Sequence, residues 1–384
     1  MTDDDLGTAI SPESLYRRLA RGDRLTILDT RDRDEFDAWH VDGPGVRAVQ
    51  VPHLAFLQAE ATGGADDVVD EYNLESPVVA VCARGEASDH AAGLLRDAGL
   101  DAANLAGGME AWARAYVGTD LAVAGPAVRQ YVRPSSGCLA YLVHDGDEAV
   151  VVDPLAAFAE RYVDDAAELG VEIVAVVDTH VHADHVSGLR DVAETAATTA
   201  YLPEGAVDRG LDFDVELLDD GDAIAVGAET VEAMHVPGHT SEMTAFRAGD
   251  VVFTGDSLFV ESVARPDLEA GDEGASDLAA QLHASLHDRI FALPDDTLVA
   301  PGHVGQRTAP DAQGAYVATI AELREDLALL GLDRDAFVDR ILDDMPPRPA
   351  NYERLIRTNL GLETLDAEEG FELELGPNNC AVSA

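Results

Sequence analysis

The sequence predicts an α/β chain of two unlike domains, and three observations carry that reading. Its 384 residues exceed the size at which one hydrophobic core usually keeps growing. Strands and helices alternate through roughly the first 120 residues, the pattern of a small parallel sheet covered by helices. A hairpin signal at Asp145-Gly146 then opens a different series of strands, and four of their ends are followed by histidine or aspartate.

The elements follow in order. Ser11 caps a first helix with Pro12 at its first position, Leu15 and Leu19 share one face, and Gly22 can end it. A strand "LTIL" leads to a polar turn at Asp29, and a strand "PVVAV" runs into Cys82 ahead of a helix expected over residues 88–98. "YVGTDLAVAGPAV" reads as a connection. Beyond it "CLAYLVH" and "EAVVVD" form the hairpin, and further strands are expected at "VEIVAVVD", "TVEAMHV", "DVVFTG" and "TLVAPG", with helices over residues 156–169 and 184–198. The domain limits read as 1–122 and 123–342, with 343–384 an extension packed on the second domain.

Composition narrows the function. The formal charge is −49, and all 25 basic residues are arginine, so nucleic acid and anionic membrane are poor partners. The acidic residues are spread along the whole chain, as in proteins of salt-accumulating halophiles. At roughly 1 M salt the screening length falls to about 3 Å, which lets so many carboxylates coexist. No long uncharged apolar run and no export-like start are present, which points to a cytoplasmic protein. Cys82, Cys138 and Cys380 are an odd and scattered set, in keeping with reduced thiols. The oligomeric state is left open, a homo-oligomer included.

The stretch "THVHADH" concentrates His180, His182, Asp184 and His185 straight after an apolar strand. Alternate residues on an extended turn aim His180 and His182 at one centre, while Asp184 and His185, at the start of the expected helix, reach in from the side. Three distant residues join them, each at a strand end beside small residues: His239 in "VPGHTSE", Asp256 in "FTGDSL" and His303 in "APGHVG". Such multi-residue spacing points to a metal site.

These motifs, in this order, resemble the metallo-β-lactamase superfamily, whose fold is an αβ/βα sandwich with metal at the edge of two sheets. That resemblance implies one site from His180, His182 and His239 and a second from Asp184, His185 and His303, with Asp256 between them. Within the superfamily, "THVHADH", "FTGDSLFVESVARPDL" and "LHDRIFALPDDTLVAPGH" are similar to the persulfide dioxygenases of sulfide detoxification. There a single Fe(II) per chain is held by two histidines and an aspartate, here His180, His239 and Asp256. His182, Asp184, His185 and His303 then support the site or hold a second ion, and Arg265 falls where a substrate-side arginine is expected. Three protein ligands leave positions for both O2 and a substrate sulfur.

Cys82 ends its strand on the loop "CARGEAS", where backbone N–H groups and the positive end of the following helix favour anionic sulfur. With "LTILDTRDRDEFDAWHVDGPGVRAVQVPH" before it and "NLAGGMEAWARA" after it, this loop resembles a rhodanese domain. The resemblance implies that Cys82 accepts a sulfane sulfur as a persulfide and that Arg84 helps bind an anionic donor.

Together the resemblances imply an α/β rhodanese-like domain followed by an αβ/βα metallo-β-lactamase sandwich. The first would exchange sulfur with thiosulfate or sulfite; the second would convert a small-molecule persulfide, O2 and water to sulfite and a thiol. The alternative is a glyoxalase II-like thioester hydrolase with two Zn or Fe ions. Against that alternative, Val181 stands where such hydrolases usually carry a further histidine. A third reading makes the first domain a docking or redox-sensing module in which Cys82 turns nothing over.

Overall fold

The computed structural model describes residues 6–343, 345–376 and 380–382. They form two compact units: one runs through Val117 and includes the short segments Arg133–Ser136 and Gln306–Pro310, and the other comprises the rest.

In the first unit five parallel strands lie in the order Ala9–Ile10, Ala102–Leu105, Val78–Val81, Leu25–Asp29, Val46–Gln50. Val78–Val81 is apolar at every position and wholly buried, as a central parallel strand covered on both faces requires. The helix Pro12–Ala20 is capped by Ser11, whose hydroxyl accepts from the Ser14 N–H, and it buries Leu15 and Leu19. Helix Glu86–Asp97 starts two residues before the expected Ser88, because Gly85 adopts φ 102° and turns the chain early. Its Ala91, Ala92 and Leu95 pack with Leu28, Val78 and Ala80.

The second unit is built on two sheets. The seven-stranded one runs Glu216–Leu218, Thr199–Pro203, Glu172–Val177, Glu148–Val152, Cys138–Asp145, Ala127–Arg133, Val117–Asp120. The hairpin at Asp145-Gly146 is present, with Cys138–Asp145 antiparallel to Glu148–Val152. Glu172–Val177 lies parallel to Glu148–Val152 and Thr199–Pro203, so its C-terminal end delivers the histidine-rich turn to the sheet edge.

The six-stranded sheet runs Ala223–Val226, Glu229–His235, Thr244–Ala248, Val251–Gly255, Leu298–Pro301, Ala318–Thr319. Val251–Gly255 and Leu298–Pro301 are parallel neighbours, so Asp256 and His303 emerge side by side from their C-terminal ends. A cluster that includes Val236, Val252, Leu258, Phe259, Leu282, Ile320 and Phe337 fills the core behind them.

One expected helix is shorter than its sequence suggests. It begins at Leu189, and Asp184 and His185 lie on the preceding loop. The loop avoids helical turns because its backbone is satisfied from elsewhere: the Val186 and Ser187 N–H groups donate to Glu374 and Asn359 side chains. No helix among the described residues is long and apolar enough to cross a membrane.

Candidate metal centre

Three side chains from three strand ends converge in the second unit: His180, His239 and Asp256, each at most 1% exposed. Each imidazole is oriented by what its other nitrogen does. The Thr179 hydroxyl donates to Asp153 Oδ2 (3.0 Å) and so accepts the Nδ1–H of His180 (2.9 Å). The Nδ1–H of His239 donates to the Arg265 carbonyl (2.8 Å). In both rings the Nε2 lone pair therefore faces the site.

Asp256 Oδ2 lies 3.9 Å from His180 Nε2 and 3.7 Å from His239 Nε2. Two ligands each about 2.1 Å from one ion can stand at most about 4.2 Å apart, so both spacings fit a shared ion. Neither Nε2 nor Asp256 Oδ2 has a hydrogen-bond partner among the described residues. Buried polar atoms left unpaired are costly, and three of them facing one point fit a cation. Burial, and then the neighbouring His182 and His239, hold His180 well below the usual imidazole range, which keeps its lone pair available.

Asp184, His185 and His303 form a second group with Cys138, in which His185 Nε2 is buried without a hydrogen-bond partner among the described residues. His303 lies between two carboxylates, with Nε2 2.6 Å from Asp184 Oδ2 and Nδ1 2.5 Å from Asp256 Oδ1. Burial works against its charge, but Asp184 and Asp256 outweigh burial and raise its pKa well above normal. Asp184 in turn sits well below the carboxylate range: burial pushes it up, and His303 and His185 more than offset that. Cys138 donates to Asp184 Oδ2 (3.2 Å), and His185 Nδ1 lies 3.2 Å from Asp184 Oδ1.

His182 departs from the superfamily expectation. Its Nε2 lies 3.2 Å from Asp153 Oδ1 and 3.8 Å from Asp178 Oδ1, so it groups with those acids and not with His180, His239 and Asp256. Desolvation opposes its charge, but the two carboxylates raise its pKa well above normal, and they draw the ring to their side. Arg265 is 1% exposed, and its guanidinium is bound to both Asp267 oxygens (2.7 and 3.1 Å) and the Pro347 carbonyl (2.9 Å). Its carbonyl is the group that accepts from the His239 ring.

Several supporting residues carry no sequence signal. Glu242 accepts from the Val181 N–H (3.0 Å) and from Arg209 (2.6 Å). Asn359, from the C-terminal extension, donates to the carbonyls of His182 and His185 (2.9 and 2.8 Å) and accepts from the Ser187 N–H (2.9 Å). Glycine is needed at two close approaches: a Cβ on Gly302 would stand 2.7 Å from Asp256 Oδ1, and one on Gly255, at φ 47°, 2.4 Å from Thr179 Oγ1.

In the first unit Cys82 is 6% exposed at the end of Val78–Val81. Its sulfur accepts from the Gly85 N–H (3.0 Å) and lies 3.1 Å from the Ser88 hydroxyl, which also lies 2.7 Å from Asn104 Oδ1. Arg84 is exposed and paired with Glu110 at 2.7 Å.

Comparison with known proteins agrees with this picture. Residues 134–303 match the metallo-beta-lactamase superfamily and residues 11–115 the rhodanese-like domain. The mitochondrial persulfide dioxygenase ETHE1 of Bos taurus is 32% identical over 247 residues, 62% of this chain and 89% of that protein. A hydroxyacylglutathione hydrolase of Parasynechococcus marenigrum is 31% identical over 232 residues, 58% of this chain and 86% of that protein. The crystal structure of ETHE1 from Myxococcus xanthus is 31% identical, with a TM-score of 0.53, and the match covers 62% of this chain and 99% of that one. With its converging donors and these relatives, the chain belongs to the metallo-beta-lactamase superfamily, in the family of the ETHE1 persulfide dioxygenases, and carries a rhodanese-like domain ahead of that fold.

Proposed function

We propose that this chain is a non-haem iron persulfide dioxygenase coupled to sulfur transfer at Cys82. The observation that carries the reading is the unpartnered set of His180 Nε2, His239 Nε2 and Asp256 Oδ2, two imidazoles and one carboxylate in a buried site. That donor set suits one Fe(II), which when bound supplies activation of O2 and affinity for a sulfur anion. In the net reaction a persulfide, O2 and water become a thiol, sulfite and two protons.

The protein's own groups have distinct tasks. Thr179 and the Arg265 carbonyl hold the two imidazoles in the tautomer that offers Nε2. His303 holds a proton between Asp184 and Asp256 and so fixes the face of the carboxylate left for the metal. His182, Asp184 and His185 keep the loop and its charge in place. Arg265 acts through its carbonyl and its ion pair with Asp267. In the rhodanese-like domain, residues 1–122, Cys82 accepts sulfane sulfur among the Gly85 and Ser88 donors, and Arg84 draws in anionic thiosulfate or sulfite. The metal domain spans 123–342 with the extension 343–384, and the acidic surface suits a cytoplasm rich in salt.

A second reading has one observation in its favour: Cys138, Asp184, His185 and His303 also lie close enough to hold an ion, as a two-metal thioester hydrolase would need. Against it, His303 and Asp184 already satisfy one another. Anaerobic purification with metal counting and oxygen uptake on a persulfide separates the two. One iron per chain with uptake is expected; two metals with thioester cleavage and no uptake would overturn the proposal.

A further inference from the structure

In the stretch "CARGEAS" the single basic residue, Arg84, stands two places before an acid, Glu86. Its guanidinium is already engaged: Nε donates to Glu110 Oε1 (2.7 Å), 26 residues further along the chain. Backbone bonds put that carboxylate there. The Met109 N–H donates to the Cys82 carbonyl (2.9 Å) and the Glu110 N–H to the Ala83 carbonyl (3.0 Å). Glycine permits the approach, since a Cβ on Gly108, at φ 61°, would collide with the Cys82 carbonyl oxygen. The start of helix Gly108–Ala113 is thus fastened to the loop that holds the sulfur, and Glu110 is carried with it.

One positive charge on this loop therefore answers two negative ones. Glu110, and after it Glu86, raise the Arg84 pKa, so both carboxylates act on the same guanidinium. Arg84 and Glu110 side chains are 72% and 60% exposed, and an ion pair so open to water exchanges readily. An anionic donor gains the guanidinium only by displacing Glu110. Thiosulfate, a dianion, meets the strongest opposition from the two acids. The persulfide of a zwitterionic amino acid carries at most one net negative charge, and its ammonium group suits a carboxylate.

We propose that Glu110 is a specificity-determining residue of the Cys82 site: by holding Arg84 it sets the site to take zwitterionic persulfides ahead of dianionic donors such as thiosulfate. This rests on the reading of Cys82 as a sulfur acceptor. The transfer itself is the same for either donor. The Cys82 sulfur, its proton lost to solvent, attacks the donor's outer sulfur, and a new S–S bond forms as the donor's own breaks. The electron pair of the broken bond leaves with sulfite in one case and with the parent thiolate in the other, so no oxidant is needed. Glu110 touches none of these atoms and acts only on which donor arrives.

The test uses the full chain, stripped of metal with a chelator so that the second domain consumes no sulfur. Protein is mixed with subsaturating thiosulfate or cysteine persulfide and quenched in alkylating agent, and the Cys82 peptide is weighed for an added sulfur. Glu110→Gln is expected to load from thiosulfate about two- to fivefold faster, the worth of a surface ion pair, and a Glu86→Gln/Glu110→Gln double variant faster again. Loading from cysteine persulfide does not rise, and the gain for thiosulfate appears in its half-saturating concentration, not in the maximal rate or the melting temperature. An unchanged ratio between the two donors in both variants overturns the proposal. Sulfate, an inert dianion, separates this from failure of the acceptor reading: it should protect Cys82 from iodoacetamide at a lower concentration in Glu110→Gln, at constant ionic strength. If no donor loads Cys82 and that difference holds, the acceptor reading falls and the role of Glu110 stands. Equal protection in wild type and variant overturns that role.

Discussion

Asn359 tests whether the C-terminal extension steadies the histidine loop. Its amide makes three buried hydrogen bonds, to the carbonyls of His182 and His185 and from the Ser187 N–H. Asn359→Ala removes all three and leaves two acceptors and one donor without partners. At about 1 kcal/mol net for each bond the loss is about 3 kcal/mol, and more if no water replaces the amide. Hydrogen exchange of the segment His180–Gly188 in metal-free protein reads this directly, and about 3 kcal/mol corresponds to roughly a hundredfold faster exchange if the loop opens locally. Asn359→Asp keeps the acceptor for Ser187 but turns a negative oxygen toward two carbonyls, so at neutral pH it should loosen the loop at least as much. Exchange within about twofold of wild type in the alanine variant, less than 0.5 kcal/mol by roughly the same conversion, would refute the clamp. So would an aspartate variant tighter than the alanine one.

Four further outcomes are expected. Gly302→Ala puts a methyl 2.7 Å from Asp256 Oδ1, so the carboxylate must move, and metal affinity measured by chelator competition should fall by about 10- to 100-fold; unchanged affinity would contradict the packing. Ser88→Ala removes the hydroxyl 3.1 Å from the Cys82 sulfur, and thiosulfate-to-cyanide transfer should slow by about 10- to 100-fold, the worth of a hydrogen bond to an anion; full activity would remove Ser88 from the site. In metal-free protein the raised pKa values of His303, His182 and, at about 9, His185 give stability that is complete below the unfolded histidine value and lost as pH rises through the folded values. His180, well below the usual range, and the lowered His53 and His287 act in the opposite sense, but the last two are not buried. Its melting temperature should therefore drop between about pH 6 and pH 9, and a rise over that range would refute the assignment. Finally, with a net charge of −49 the chain should melt at a lower temperature in dilute buffer than in molar KCl, and equal melting would sink the halophilic reading.

Much of the site is legible in the sequence because its chemistry sits where the backbone pattern changes. His180, Asp256 and His303 each follow an apolar strand by a few residues, and glycine beside the last two marks a close approach. Cys82 is legible for the same reason. His182 is misleading, because alternation along the chain places it beside His180 while two acids from the neighbouring turns attract its ring. The start of the helix after the histidine loop is hidden too, since the backbone partners that keep the loop open come from Asn359 and Glu374, more than 170 residues away. Glu242 and Cys380 stand in stretches with no pattern of their own, and only the folded arrangement brings them to the loop and to Asp256. Edge strands such as Val46–Gln50 escape notice because they are half-exposed and mix polar with apolar residues.

The Asn359 clamp also bears on the order in which the protein matures. His180, His239, Asp256 and His303 leave the ribosome well before the Asn359 amide that braces the loop after His180. A growing chain therefore holds those four side chains while the loop that follows His180 is still unbraced, and that loop can settle only once Asn359 has been made.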